Sequence, residues 1–173
     1  MIILIAGASH TGKTLLAQKL LETYHYPYLS MDHLKMGLIR SGNTSLTVFD
    51  DDKMTEYLWP IVREMIKTAI ENRQNLIVEG CYIPFDWRRD FPEEYAKEIV
   101  CRWLIMTPEY IRSHFADIRD HANAIEARLD DSGLNPENLI RENNRNLEQC
   151  QEYGCAYIMV EDTYSVEAAQ ICF

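Results

Sequence analysis

Five apolar residues, Ile2-Ile3-Leu4-Ile5-Ala6, run directly into Gly7-Ala8-Ser9-His10-Thr11-Gly12-Lys13-Thr14. This junction constrains the fold more than any other stretch of the chain. A short unbroken apolar run stopped by glycine predicts a strand buried on both faces, as in a parallel sheet. The eight residues that follow fit G-x-x-x-x-G-K-[ST], a pattern that needs a strand before it and a helix behind it. Lys13–Tyr24, with Leu16, Leu20 and Leu21 at helical spacing, predicts that helix. Gly7 and Gly12 permit the tight backbone such a loop requires. The amides from His10 to Thr14 can then turn inward onto phosphate oxygens, aided by the helix dipole. Gly7, His10, Thr11, Gly12, Lys13, Thr14 and Leu15 are therefore the candidate phosphate-loop contacts. Lys13 is placed to reach the terminal phosphates, and the Thr14 hydroxyl to ligate a magnesium ion. His10 reads as a solvent-facing loop side chain or a substrate contact.

The rest of the chain repeats the strand-then-helix pattern. Short strands are predicted at Pro27–Ser30, Leu76–Gly80, Glu98–Met106 and Ala156–Val160. Helices are predicted at Asp32–Ser41, closed by Gly42, and at Thr55–Asn72, where Pro60 predicts a kink or a fresh start. Further helices are expected from Pro108, at Pro136–Tyr153 and, briefly, at Ser165–Ile171, with a polar connection over Asn43–Lys53. Alternating strands and helices predict a parallel sheet covered on both faces. At 173 residues the chain suits one compact domain.

Composition narrows the function classes. Acidic residues outnumber basic ones 27 to 17, for a formal charge of −10. That disfavours a duplex DNA binder, which needs a basic face, yet a few local bases can still hold a small anion. No apolar run approaches the roughly 20 residues of a membrane span, and no basic segment precedes the N-terminal run. The five cysteines are odd in number and lack any Cys-x-x-Cys pair, so neither a disulfide framework nor a zinc knuckle is expected. They read as reduced thiols of a cytoplasmic protein, with Cys150 and Cys155 the one spacing suited to a local redox pair. A monomer or a homodimer is expected.

Five features together carry a resemblance. They are the phosphate loop, Ser30-Met31-Asp32 after the second strand, Glu79-Gly80 after the third, an arginine-bearing helix after the fourth, and Glu161-Asp162-Thr163 after the fifth. In this layout, which spans nearly the whole chain, the sequence resembles the small P-loop kinases. That group includes the nucleoside monophosphate, shikimate and gluconate kinases, chloramphenicol phosphotransferase and the zeta toxins. The resemblance implies an α/β three-layer P-loop NTPase fold: a five-stranded parallel sheet in the order 2-3-1-4-5, helices on both faces and a small helical lid. It also implies a substrate-binding helical region over residues 33–75 and a lid over about 112–135, both within a single domain 1–173.

The same resemblance assigns roles, each beside a plainer alternative. Asp32 is expected to face the acceptor and take its hydroxyl proton, or else simply to cap the following helix. Glu79 is expected to hold Mg²⁺ or its water shell, against a solvent-exposed strand-end acid. Gly80 is expected to let substrate approach the backbone. Arg119, then Arg112, then Arg128 are candidates to close over the phosphates, against surface ion pairs. Arg112 and Arg119 are seven residues apart and should share a helical face. Asp162, Thr163 and Tyr164 are candidates to wrap the adenine of ATP, or turn residues. Arg88 and Arg89 are candidates for an anionic acceptor, of which at most one can face it.

The expected function is an ATP- and Mg²⁺-dependent phosphotransferase acting on a hydroxyl of a small molecule. No Asp-x-x-Gly or Asn-Lys-x-Asp pattern supports a GTPase. The third strand ends Glu-Gly-Cys-Tyr-Ile-Pro, which lowers the standing of a nucleoside monophosphate kinase. A regulatory or toxin-like nucleotide-binding protein stays open as the alternative.

Overall fold

The computed structural model describes residues 1–120 and 134–171. Its centre is a five-stranded, all-parallel sheet in the order β2-β3-β1-β4-β5. The strands are β1 (Ile2–Gly7), β2 (Tyr28–Ser30), β3 (Leu76–Glu79), β4 (Ile99–Met106) and β5 (Tyr157–Val160). The helices are α1 (Lys13–Tyr24), α2 (Met31–Arg40), α3 (Asp51–Glu71), α4 (Glu93–Ala96), α5 (Pro108–Asp120) and α6 (Pro136–Tyr153). This is the sheet order and layering that the resemblance implies.

β1 shows why the opening run is apolar throughout. It pairs with β3 through Leu4↔Val78 and with β4 through Leu4↔Cys101, so it sits in mid-sheet with every residue buried. Alternate side chains then face opposite layers. Ile2, Leu4 and Ala6 enter a core built with Met54, Leu58, Val62 and Ile66 of α3. Ile3 and Ile5 enter the other, with Leu16 and Leu20 of α1 and Tyr110 and Ile111 of α5. Each such aliphatic side chain contributes about 1.5–3 kcal/mol by leaving water.

Three helical expectations change. α3 starts at Asp51, four residues earlier than the pattern suggested, and runs through Pro60 as one helix. Pro60 faces solvent and removes one intrahelical donor, a cost of about 3 kcal/mol. The buried stripe of Met54, Leu58, Trp59, Val62, Ile66 and Ala69 offsets that cost, because breaking the helix would lift half the stripe off the sheet. The break falls instead in α5, where His114 takes φ −116° and ψ 17°. The final helix reduces to a single 3-10 turn at Ala168–Gln170.

α6 is delimited as its sequence requires. The Asn135 side chain accepts from the Asn138 amide at 2.8 Å, Pro136 opens the helix, and Gly154 closes it at φ 65°. Inside it, fully buried Asn143 accepts from the Met106 amide at 2.8 Å and donates to the Leu139 carbonyl at 2.9 Å. This locks α6 onto the carboxyl end of β4. Cys81, Cys101, Cys150 and Cys155 are free thiols, and burial pushes Cys101 up to about 12. The Cys155 amide bonds to the Cys150 carbonyl at 2.8 Å, so the structure does bring that pair together. No helix among the described residues is long and apolar enough to cross a membrane.

Candidate phosphate-transfer site

In the order 2-3-1-4-5 the chain leaves β1 toward one side of the sheet and later crosses to the other. The carboxyl end of β1 thus lies at the switch point, where open parallel sheets form their ligand crevice. Gly7 ends β1 there at φ 144°, and a Cβ on it would come within 2.6 Å of the Leu104 carbonyl oxygen. Only glycine lets the loop turn this close against β4. His10 and Gly12 follow with φ of 62° and 82°, which curls the loop over the start of α1. Thr11 donates its hydroxyl to the Ala8 carbonyl at 2.9 Å, and Lys13 donates its ammonium to the same oxygen at 2.7 Å. Lys13 is only 6% exposed, so its charge is held inside the loop. Thr14 is half-buried in the first turn of α1, His10 is half-buried rather than solvent-facing, and Leu15 is exposed.

Tyr164 closes the loop from behind. Its hydroxyl donates to the carbonyls of Gly12 at 3.2 Å and Thr11 at 3.3 Å, and its ring packs on the α1-side core. Burial raises the phenol's pKa, which keeps it protonated and donating. Asp162 and Thr163, just before it, are exposed.

Glu79 ends β3 and is 1% exposed. The solvent-exposed alternative is thereby excluded. Ser30, its register partner on β2, is 2% exposed, and its hydroxyl finds no hydrogen-bond partner among the described residues. Cys81 is half-buried beside Lys13, Asp32 and Glu79, and burial raises its pKa. A carboxylate and a hydroxyl, such as those of Glu79 and Thr14, are oxygen donors of the kind a hard divalent ion such as Mg²⁺ takes.

Asp32 lies in the first turn of α2, and the cap position is Ser30, so capping is not its role. It is half-buried, and its carboxylate has no hydrogen bond or ion pair among the described residues. Gly80 helps to place it. A Cβ at Gly80 would come within 2.7 Å of the Met31 Cβ, so the missing side chain makes room for the start of α2 rather than for substrate.

Sequence reasoning missed a three-residue knot beside Asp32. The Lys35 ammonium contacts the Asp51 carboxylate at 2.9 Å and the Tyr82 hydroxyl at 2.6 Å, and Tyr82 donates to Asp51 at 2.6 Å. Burial, Asp51 and Asp32 all push the Tyr82 phenol upward. Lys35 follows Asp32 by three residues, which was a readable signal. Asp51 and Tyr82 come from distant segments and carried none. Glu142 of α6 was missed as well. It stands toward Lys13 and Asp51, and desolvation raises its pKa.

Among the described residues, Arg112 and Arg119 make the surface ion pairs that were the plainer alternative for them. Arg112 pairs with Glu137 at 3.8 Å, and Arg119 contacts its neighbour Asp120 at 3.4 Å, both at exposed positions. The irregular turn at His114 breaks the shared face their spacing implied. Arg128, and much of the expected lid over 112–135, lie outside the described residues. Arg89 pairs with Asp86 at 2.7 Å, and Arg88 lies over the Trp87 ring at 4.8 Å. On α6, Arg141 and Arg145 line a cavity of about 430 Å³ together with Glu137 and Glu148.

No family model matches the chain, and no curated protein matches it in sequence. Solved structures do match over nearly its full length. A gluconokinase from Sinorhizobium meliloti 1021 superposes with a TM-score of 0.53 at 18% identity, covering 98% of this chain and 85% of that one. A deoxyadenosine kinase from M. mycoides gives 0.56 at 13% identity, covering 98% and 94%. A shikimate kinase from Bacteroides thetaiotaomicron gives 0.52 at 17%, covering 93% and 86%. With the glycine loop at the switch point and the 2-3-1-4-5 sheet around it, the chain has the fold of the small P-loop kinases.

Proposed function

We propose that this protein is an ATP- and Mg²⁺-dependent phosphotransferase that moves the γ-phosphoryl group to a hydroxyl of a small acceptor in the cytoplasm. The observation that carries this reading is Asp32: a half-buried carboxylate, unpaired among the described residues, beside the same crevice as Lys13 and Glu79. A protein that only senses nucleotide has no use for such a group.

The chain's residues divide the work. The loop amides from His10 to Thr14 and the Lys13 ammonium bind the phosphates and draw charge from the transferring group. Thr14 and Glu79 would hold Mg²⁺, which when bound would neutralise phosphate charge. Asp32 takes the hydroxyl proton as the acceptor oxygen bonds to the γ-phosphorus. The bond from that phosphorus to the bridging oxygen breaks, and ADP leaves with the electron pair. Asp162 and Thr163 flank the adenine end, with Tyr164 anchored beneath them, and Arg119 or Arg112 closes from α5.

The test is ATP turnover with a panel of hydroxyl acceptors, on wild type and Asp32→Asn. General-base loss lowers turnover by about 10²–10⁴-fold, while Mg-ATP should stabilise both proteins equally against heat. Near-normal turnover in Asp32→Asn would remove Asp32 as the base. ATP stabilisation without turnover on any acceptor would favour a nucleotide sensor.

A further inference from the structure

α6 ends in a cysteine pair that phosphotransfer does not use. Cys150 sits in its last turn and is fully buried, and Cys155 follows the Gly154 cap, half-buried just before β5. Gly154 turns the chain back at φ 65°, and the Cys155 amide then donates to the Cys150 carbonyl at 2.8 Å. That bond limits how far apart the two residues can lie. A Cα is about 2.4 Å from its own carbonyl oxygen and about 1.5 Å from its own amide nitrogen. With the 2.8 Å bond between them, the two Cα atoms are at most about 6.7 Å apart. Disulfides form at Cα separations of about 4.4–6.8 Å and are excluded beyond about 7 Å.

The side chains meet as well. The two thiols share a hydrogen bond, which lowers the pKa of Cys155 and raises that of Cys150. Cys150 keeps its proton, and Cys155 is the thiol that ionises. Burial works against that ionisation, the Arg88 guanidinium assists it, and Asp86 opposes it. A thiol that solvent can reach, set beside a buried one, is the arrangement of an attacking and a resolving cysteine. Cys101 is the third thiol nearby, but it is 7% exposed and burial pushes it up to about 12, so it stays protonated. Among the described residues, no group of three cysteine, histidine or acidic side chains is placed to hold a metal ion.

We infer that Cys150 and Cys155 form a reversible disulfide by exchange with small-molecule disulfides, with Cys155 attacking and Cys150 resolving. First, the Cys155 sulfur gives its proton to solvent and bonds to one sulfur of the small disulfide. The S–S bond of that molecule breaks, and its other half leaves with the electron pair and takes up a proton. Then the Cys150 sulfur gives up its proton and bonds to the Cys155 sulfur, and the second half leaves in the same way. The pair loses two electrons and two protons, and the small disulfide is reduced to two thiols. In a reducing compartment the pair rests as thiols and closes when small disulfides accumulate. The Cys155 thiol donates to the Phe85 carbonyl at 3.2 Å, and bridging removes that donor.

The experiment equilibrates the full chain with glutathione disulfide at neutral pH, quenches with acid, alkylates the remaining thiols and assigns every cysteine by peptide fragmentation. The expected result is a Cys150–Cys155 bridge, about 2 Da lighter than the dithiol form, that dithiothreitol reverses. Cys101 should be modified at least about tenfold more slowly than Cys155. Cys150→Ala removes the resolving thiol, so a glutathione adduct should persist on Cys155 at least about tenfold longer than in wild type. Cys155→Ser keeps a donor for the Phe85 carbonyl, and Cys150 should then stay a free thiol. The inference is overturned if both cysteines of the wild type stay free, if Cys155 holds a lasting adduct beside a free Cys150, or if either one pairs instead with Cys81, Cys101 or Cys172. The wild-type result needs no acceptor, no nucleotide and no variant that folds.

Discussion

The Tyr164 hydroxyl donates to the Gly12 carbonyl at 3.2 Å across 152 residues of sequence, joining the loop after β5 to the loop after β1. The contact is possible because residue 12 is glycine; a Cβ there would fall on the Tyr164 hydroxyl. The conformation that presents the loop amides is thus supported from the far end of the chain. Tyr164→Phe keeps the ring and deletes the donor, at a cost of about 1 kcal/mol. The expected outcome is a small drop in melting temperature together with a raised KM for ATP. An unchanged KM would show that the loop holds its shape without the tether.

Gly80 and Met31 form a second close approach, and it positions Asp32. In Gly80→Ala the new methyl meets the Met31 Cβ at 2.7 Å, and α2 must shift. Crowding of this kind costs about 1–3 kcal/mol. Because Asp32 moves with Met31, phosphoryl transfer should fall further than ATP binding. Steady-state kinetics beside a nucleotide thermal-shift titration separates the two effects.

Asn143 ties α6 to β4 from a fully buried position. Asn143→Leu keeps the branched heavy-atom skeleton, with bulkier methyls, but leaves the Met106 amide without its 2.8 Å acceptor. An unmade buried hydrogen bond costs about 1–3 kcal/mol, and 1 kcal/mol corresponds to about 2–4 °C for a chain of this size. A melting-temperature loss within the resulting range is expected, and no loss would show that water reaches the amide.

Asp50 gives a pH signature. Hydrogen bonds from the Thr47 hydroxyl at 2.7 Å and amide at 2.9 Å hold its carboxyl below the ordinary 3.8, with Lys53 assisting. A depressed folded-state value means that the stabilisation is complete above pH 3.8 and lost as the pH falls through the folded value. Asp50→Asn should therefore be less stable than wild type near neutral pH, with the gap closing in acid. Parallel urea titrations at pH 7 and near pH 3 would show it, and a pH-independent gap would reject the assignment.

Much of this molecule follows from local pattern. β1, the loop Gly7–Thr14 and α1 are legible because each depends on neighbours in sequence: an apolar run, two glycines, a helical stripe. The caps of α6 at Asn135 and Gly154 belong to the same class. Gly12 was legible as a phosphate-loop glycine, but its need to clear Tyr164 was not. Pro60 misled for the opposite reason, since a local rule predicted a break where six buried side chains outweigh one missing hydrogen bond. Asp32 and Glu79 could be named from their strand ends; that one is unpaired among the described residues and the other 1% exposed depends on α2, β3 and the loop packing together. The Lys35–Asp51–Tyr82 knot was decided by tertiary structure. Charge pairing between distant segments leaves no period in the sequence, because it is set by distance in space and by how much water packing has removed.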